Sequence, residues 1–244
     1  MDGATALMVL SAFLGGLIRG FSGFGGPMIM IPVLNLFYPP SLTIWMMAMI
    51  DLPSNVYLIP SARKHANARI WVPLSLGTFA TMSLGVYLLV VVDETVMRSV
   101  ICVGIILACC VLLSGWLYRG QMGKRSWAMV GAASGLVLGA TYIAVVTTVF
   151  VNAASRDAQG NRANIIFWAF ATSIVMIVLL SYGGIADSRH FPMITMLAAI
   201  YFFSCIAGTL AQQRFGNSYA RTATLLLIIL IAIGGLASTH NLSR

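Results

Sequence analysis

Long apolar runs, separated by short clusters of basic residues and prolines, follow one another along the whole chain. About 20 predominantly apolar residues make a helix long enough to cross a bilayer. Six stretches of that kind stand at 41–62, 70–92, 99–118, 163–183, 191–212 and 222–239. A backbone N–H in hydrocarbon must be bonded within its own segment, so continuous runs predict helices. The alternation over about ten residues that marks a membrane β-barrel is not the pattern here.

Two further stretches predict something other than a simple crossing. Residues 4–37 carry a single charge, Arg19, and the cluster Gly20-Phe21-Ser22-Gly23-Phe24-Gly25-Gly26-Pro27. Residues 127–152 carry Gly131, Gly135 and Gly139 followed by Ala140-Thr141-Tyr142. Glycine inside a helix costs about 1 kcal/mol relative to alanine and proline about 3, so both stretches predict helix breaks.

The basic residues decide how such stretches run. If both are re-entrant hairpins, Arg63, Lys64, Arg69, Arg119, Lys124, Arg125, Arg156, Arg162, Arg214 and Arg221 share one side, against Arg98, Arg189 and Arg244. That is ten against three; if all eight segments crossed, the split would be eight against five. Lys and Arg are retained on the cytoplasmic side, which favours the hairpins. The expected fold is then an all-α membrane protein with about eight hydrophobic segments in one domain, 1–244. It divides into two inverted repeats, about 1–120 and 121–244, each a broken-helix hairpin followed by three spans. Inverted repeats whose discontinuous helices meet at mid-membrane are a recurring transporter plan.

Composition agrees. Apolar residues make up 59% of the 244 positions and charged residues 8%, with a mean hydropathy of +0.93. A soluble domain carries roughly a quarter charged residues, so most of this surface faces lipid. The formal charge of +8 is spread over short loops without aromatic interleaving, which reports topology and not nucleic-acid binding. The four cysteines lie in apolar runs without CxxC spacing, and His65, His190 and His240 have no partner at ligand spacing. No metal or other cofactor is expected. Residues 4–18 are apolar but no Lys or Arg precedes them, so a cleavable leader is not expected.

Charge within the membrane marks the candidate site, because a charged side chain at a helix centre costs about 2.5–3.5 kcal/mol on insertion scales. Arg19 and Asp51 are the ionisable residues in the first 62 positions after Asp2. Arg19 beside the glycine break offers a fork suited to a sulfonate, sulfite or carboxylate; its other readings are an interfacial cation or a partner that neutralises Asp51. Asp51 reads as a counter-ion to Arg19, a proton carrier, or a cap on a kink at Pro53. Asn55 shares its helix face at i, i+4. Around the first break, Gly20, Ser22, Gly23, Gly25 and Gly26 would present backbone N–H groups and a hydroxyl to an anion. Gly139, Thr141 and Tyr142 hold comparable ground in the second half, and Thr172 and Ser173 lie mid-span. Single Ser and Thr residues in membrane helices more often bond back to a carbonyl.

The run GFSGFGGPMIMIP at 20–32, preceded by Gly15-Gly16-Leu17-Ile18-Arg19, resembles the sulfite exporter TauE/SafE family of membrane permeases. The likeness extends to length, segment order, the basic turn at 63–69 and the second break at 135–142. The second copy, GLVLGATYIAVV, is poorer in glycine than the family pattern, and Arg19 makes the first break more charged. The resemblance implies outward transport of small sulfur-containing anions, such as sulfite or organosulfonates, across a bacterial inner membrane. Expected partners are a small anionic substrate and the lipid bilayer, with a homodimer left open. An anion channel and a non-catalytic assembly subunit are the alternatives. An intramembrane enzyme is disfavoured, since Asp51 is the one carboxylate well inside a hydrophobic segment and no second catalytic group converges on it.

Overall fold

The computed structural model describes residues 3–113, 122–154 and 157–215. Among them the chain is helical: α1 Gly3–Ser22, α2 Gly26–Leu34, α3 Pro40–Ala62, α4 Ala68–Val91, α5 Glu94–Leu113, α6 Lys124–Thr141, α7 Val145–Ala154, α8 Ala158–Tyr182 and α9 Phe191–Phe215, with a 3-10 turn at Ser188–His190. Six of these are long and apolar enough to cross a membrane. Leu76, Leu84, Tyr87, Leu107, Met129, Phe203 and Leu210 point outward, while Arg19, Asp51, Asn55, Thr172 and Ser173 are buried. Apolar outside and polar inside is the arrangement lipid selects. The chain is an all-α membrane protein. The expected span at 222–239 lies outside the described residues.

Local sequence sets the helix ends. Asn67 caps α4 through the Arg69 N–H, and Asp157 caps α8 through Gln159 and Gly160. The Asp157 cap starts α8 five residues before the apolar run at 163. The first break is narrower than its glycine cluster: Gly20 stays inside α1, Pro27 sits in the first turn of α2, and the helix stops at Gly23 to Gly25. Gly23 and Gly25 have φ of 79° and 92°, a left-handed region nearly closed to other residues.

The second break falls at the end of the expected stretch 135–142. Gly131, Gly135 and Gly139 are helical within α6, and the helix ends instead at Tyr142, a non-glycine residue with φ of 56°. Those glycines serve close helix packing. Gly135 lies on the Thr78 carbonyl and Thr81, and Gly139 on the Met82 carbonyl and Val86, both of α4. In turn Gly85 of α4 meets Leu136. In the α1/α9 pair, Gly16 lies on Tyr201 and Ser204 of α9, Gly20 on Cys205 and Thr209, and Gly208 on Leu17. A constant shift along each helix converts the second set of contacts into the first. Small residues that let backbones touch are the main currency of helix association in lipid.

Both broken helices turn back on themselves. Met30 of α2 lies against Gly15 of α1, and the Thr147 hydroxyl of α7 donates to Ser134 of α6 at 2.8 Å. Two loop clusters mark the ends of the bundle. At one, the Asn67 N–H donates to Asn164 Oδ1 at 2.8 Å, and Asn67, Arg69, Lys124 and Asn161 line a cavity of about 380 Å³. At the other, the Tyr38 and His190 rings meet at 5.3 Å, and Arg98 donates to the Tyr38 carbonyl. There the Asp187 carboxyl is held below its usual range by hydrogen bonds from Arg189.

A buried ion pair at the helix break

Arg19 ends up inside the bundle because α1 packs so closely on α9 that its last turn cannot reach lipid. Its side chain is 3% exposed, as is that of Asp51, and Nη2 stands 3.2 Å from Asp51 Oδ2. Asp51 lies at the midpoint of α3. Arg19 Nη2 also donates to Asn55 Oδ1, and Nη1 donates to the Gly23 carbonyl at 2.8 Å across the break. Arg19 Nε is buried without a partner among the described residues. The guanidinium thus joins α3 to the tip of the first hairpin.

The rest of the network surrounds the carboxylate. Asn55 Nδ2 donates to Asp51 Oδ2 at 3.0 Å and to Ser173 Oγ at 3.2 Å. The Tyr142 hydroxyl bonds Ser173 Oγ at 2.9 Å. Tyr201 of α9 donates its hydroxyl to Asp51 Oδ1 at 2.9 Å. Groups from α1, α3, α6, α8 and α9 therefore meet at one point, and both hairpin breaks reach it: the first through Gly23, the second through Tyr142. Both Asp51 oxygens carry a hydrogen bond besides the ion pair. Removing one member of such a pair costs about 3–5 kcal/mol because the other charge stays buried.

The candidate residues divide by what they touch. Arg19, Gly23, Asn55, Tyr142, Ser173 and Asp51 belong to the network. Gly20 and Gly139 are packing positions whose Cβ would overlap α9 and α4 backbone. Gly26 lies against the Tyr201 hydroxyl, and Gly25 is the left-handed cap of α2. Ser22 donates to the Ile18 and Phe24 carbonyls, Thr141 to the Val137 carbonyl, and Thr172 to those of Trp168 and Ala169. Those three hydroxyls are back-bonded. Tyr201 escaped sequence reasoning because a tyrosine in an apolar run carries no charge signal. Arg162, counted among the ten basic residues of one side, also reaches the break: Nη2 donates to the Gly20 carbonyl at 2.6 Å and Nη1 to Gln212 Oε1 at 3.1 Å.

A family model, sulfite exporter TauE/SafE, matches residues 8–235. The chain belongs to the sulfite exporter TauE/SafE family. The match covers both hairpins and every residue of the network, and with the six apolar helices it makes this a multi-pass membrane protein of a transport family. Comparison with curated proteins and with solved structures finds no match.

Proposed function

We propose that this chain is a secondary transporter that carries small anions, sulfite or organosulfonates, out of a bacterial cell across its inner membrane, with Arg19 as the anion-binding group. The observation behind this reading is the Arg19–Asp51 pair, closed from water at the meeting point of two broken helices. A carboxylate and a sulfonate present similar oxygen pairs to a guanidinium fork, so Asp51 stands where a substrate anion would. Exchange of one for the other keeps Arg19 paired throughout. When Arg19 turns to substrate, Asp51 retains the Tyr201 hydroxyl and Asn55 Nδ2, and no carboxylate oxygen is stranded. Net movement then needs no coupling ion, and Asp51 orients Arg19.

Alternating access draws support from the repeated packing. The α1/α9 contacts recur as the α6/α4 contacts at constant shifts, with α1 and α6 starting from opposite ends of the bundle. Two inverted halves related this way can exchange conformations about a fixed central site. The end that holds Arg63, Lys64, Arg69, Lys124 and Arg125 is read as cytoplasmic. The test is thermal stability of the purified protein with sulfite, methanesulfonate, acetate and phosphate, for wild type, Arg19→Lys and Arg19→Gln. Stabilisation by sulfite and methanesulfonate should weaken in that order; equal stabilisation of all three proteins would remove Arg19 from the site.

A further inference from the structure

Arg162 is the second guanidinium at the first break, and its surroundings differ from those of Arg19. Arg19 has a carboxylate; Arg162 has none within ion-pair distance among the described residues. Its acceptors are neutral, the Gly20 carbonyl and Gln212, and its Nε is buried without a partner among the described residues. The stem lies over the break, where a Cβ at Gly23 would come within 2.8 Å of Arg162 Cγ. Arg162 stands in the second turn of α8, beside the loop cluster of the basic end. Arg19 donates to the Gly23 carbonyl and Arg162 to that of Gly20, so the same short stretch of backbone links them.

We propose that Arg162 is a second anion-binding position, the capture site through which a sulfite or sulfonate arriving from the basic end passes before it reaches Arg19. A cation half withdrawn from water, balanced only by neutral acceptors and holding an unused N–H, gains most from an incoming anion. The anion would replace the Gly20 carbonyl on Nη2 and free the tip of the hairpin beside Arg19. The second guanidinium also keeps the anion from being held by one charge alone, since departure from the first is favoured by the next. This inference rests on the transport reading above. It adds a sidedness that Arg19, reached from both ends, does not have.

The experiment uses the full chain in right-side-out and everted membrane vesicles, with methanesulfonate as a probe whose charge does not change with pH. Arg162→Gln should raise KM about tenfold for uptake from the basic end and leave KM from the other end unchanged. Arg162→Lys should recover part of that loss. The basic-end rate of wild type should fall with added salt, and that dependence should flatten in Arg162→Gln. Equal KM changes from both ends, no change, or a Lys variant as impaired as the Gln variant would overturn the proposal. If the Gln variant cannot be extracted folded, Arg162→Lys decides: a basic-end KM increase alone supports capture, and anything else refutes it. Arg19→Gln separates the two claims, because it should abolish uptake from both ends. Survival of uptake in that variant overturns the Arg19 assignment while the sidedness of Arg162 is read from the same vesicles.

Discussion

At the scale of single residues, the Arg19–Asp51 pair is a stability element and the proposed locus of binding. Arg19→Leu leaves Asp51 buried and unpaired and should cost about 3–5 kcal/mol, whereas Arg19→Leu with Asp51→Leu should recover most of it. Thermal unfolding of the four proteins in one detergent checks the coupling; additive losses would mean that the pair is not energetically joined. Asp51→Asn removes the competitor for Arg19 while keeping one acceptor and adding donors. Anion affinity should rise roughly tenfold and turnover should fall, since release is slowed. The sign of any proton linkage follows from the same geometry. A proton on Asp51 loosens its hold on Arg19, so proton and anion would bind together and move in the same direction. Asp51 as a carrier therefore implies symport, not the antiport that suits export. Affinity for methanesulfonate that rises as pH falls in wild type, and is flat in Asp51→Asn, would assign that role to Asp51.

At the scale of elements, the hairpins and their glycine contacts define the architecture. Gly20→Ala and Gly139→Ala each force a Cβ into the backbone of the neighbouring helix and should lose about 1–3 kcal/mol each. Gly123→Ala, where a Cβ meets nothing within 4 Å, should be silent. Gly23→Ala adds left-handed strain to its contact with Arg162, about 1–2 kcal/mol for the backbone alone. Detergent-solubilised melting temperatures would rank them; a tolerant Gly139 beside an intolerant Gly20 would argue against equivalent roles for the two helix pairs. Tyr142 is the informative exception. It accepts the left-handed conformation that Gly23 takes freely, and its hydroxyl in turn bonds Ser173. Tyr142→Gly should relax the backbone and yet weaken anion binding, which separates strain from chemistry.

For the whole molecule, orientation and energetics meet. With the basic end in the cytoplasm, cysteines introduced at Arg63 or Lys124 should be labelled by impermeant maleimide only in everted vesicles, and one at Arg189 only in right-side-out vesicles; the reverse pattern would invert the proposed direction. A cell interior is negative, and one charge moved through 100 mV is worth about 2.3 kcal/mol. That corresponds to roughly fifty-fold in concentration for a monoanion leaving the cell. Efflux from proteoliposomes should follow a clamped potential and persist without a pH gradient. Flux indifferent to voltage would exclude electrogenic uniport.

Hydropathy and charge, read from the chain alone, determined the membrane class, the positions of five long helices among the described residues, the first helix break and the two charges worth following. These signals are local: a run of apolar residues, a cluster of glycines or a lone arginine in hydrocarbon is visible within one segment. The second break lies at the end of its expected stretch 135–142, past the glycines, because a glycine that breaks a helix and a glycine that seats a neighbouring helix are the same letter. Only packing on α4 separates the two. Nor could any local pattern choose the Asp51–Arg19 pairing from its alternatives, decide which hydroxyls bond back to a carbonyl, or show that Tyr201 and Arg162 converge on the same break. Those partners come from helices far apart in sequence, and the close approach of α1 to α9 and of α4 to α6 selects which side chains share the buried interior.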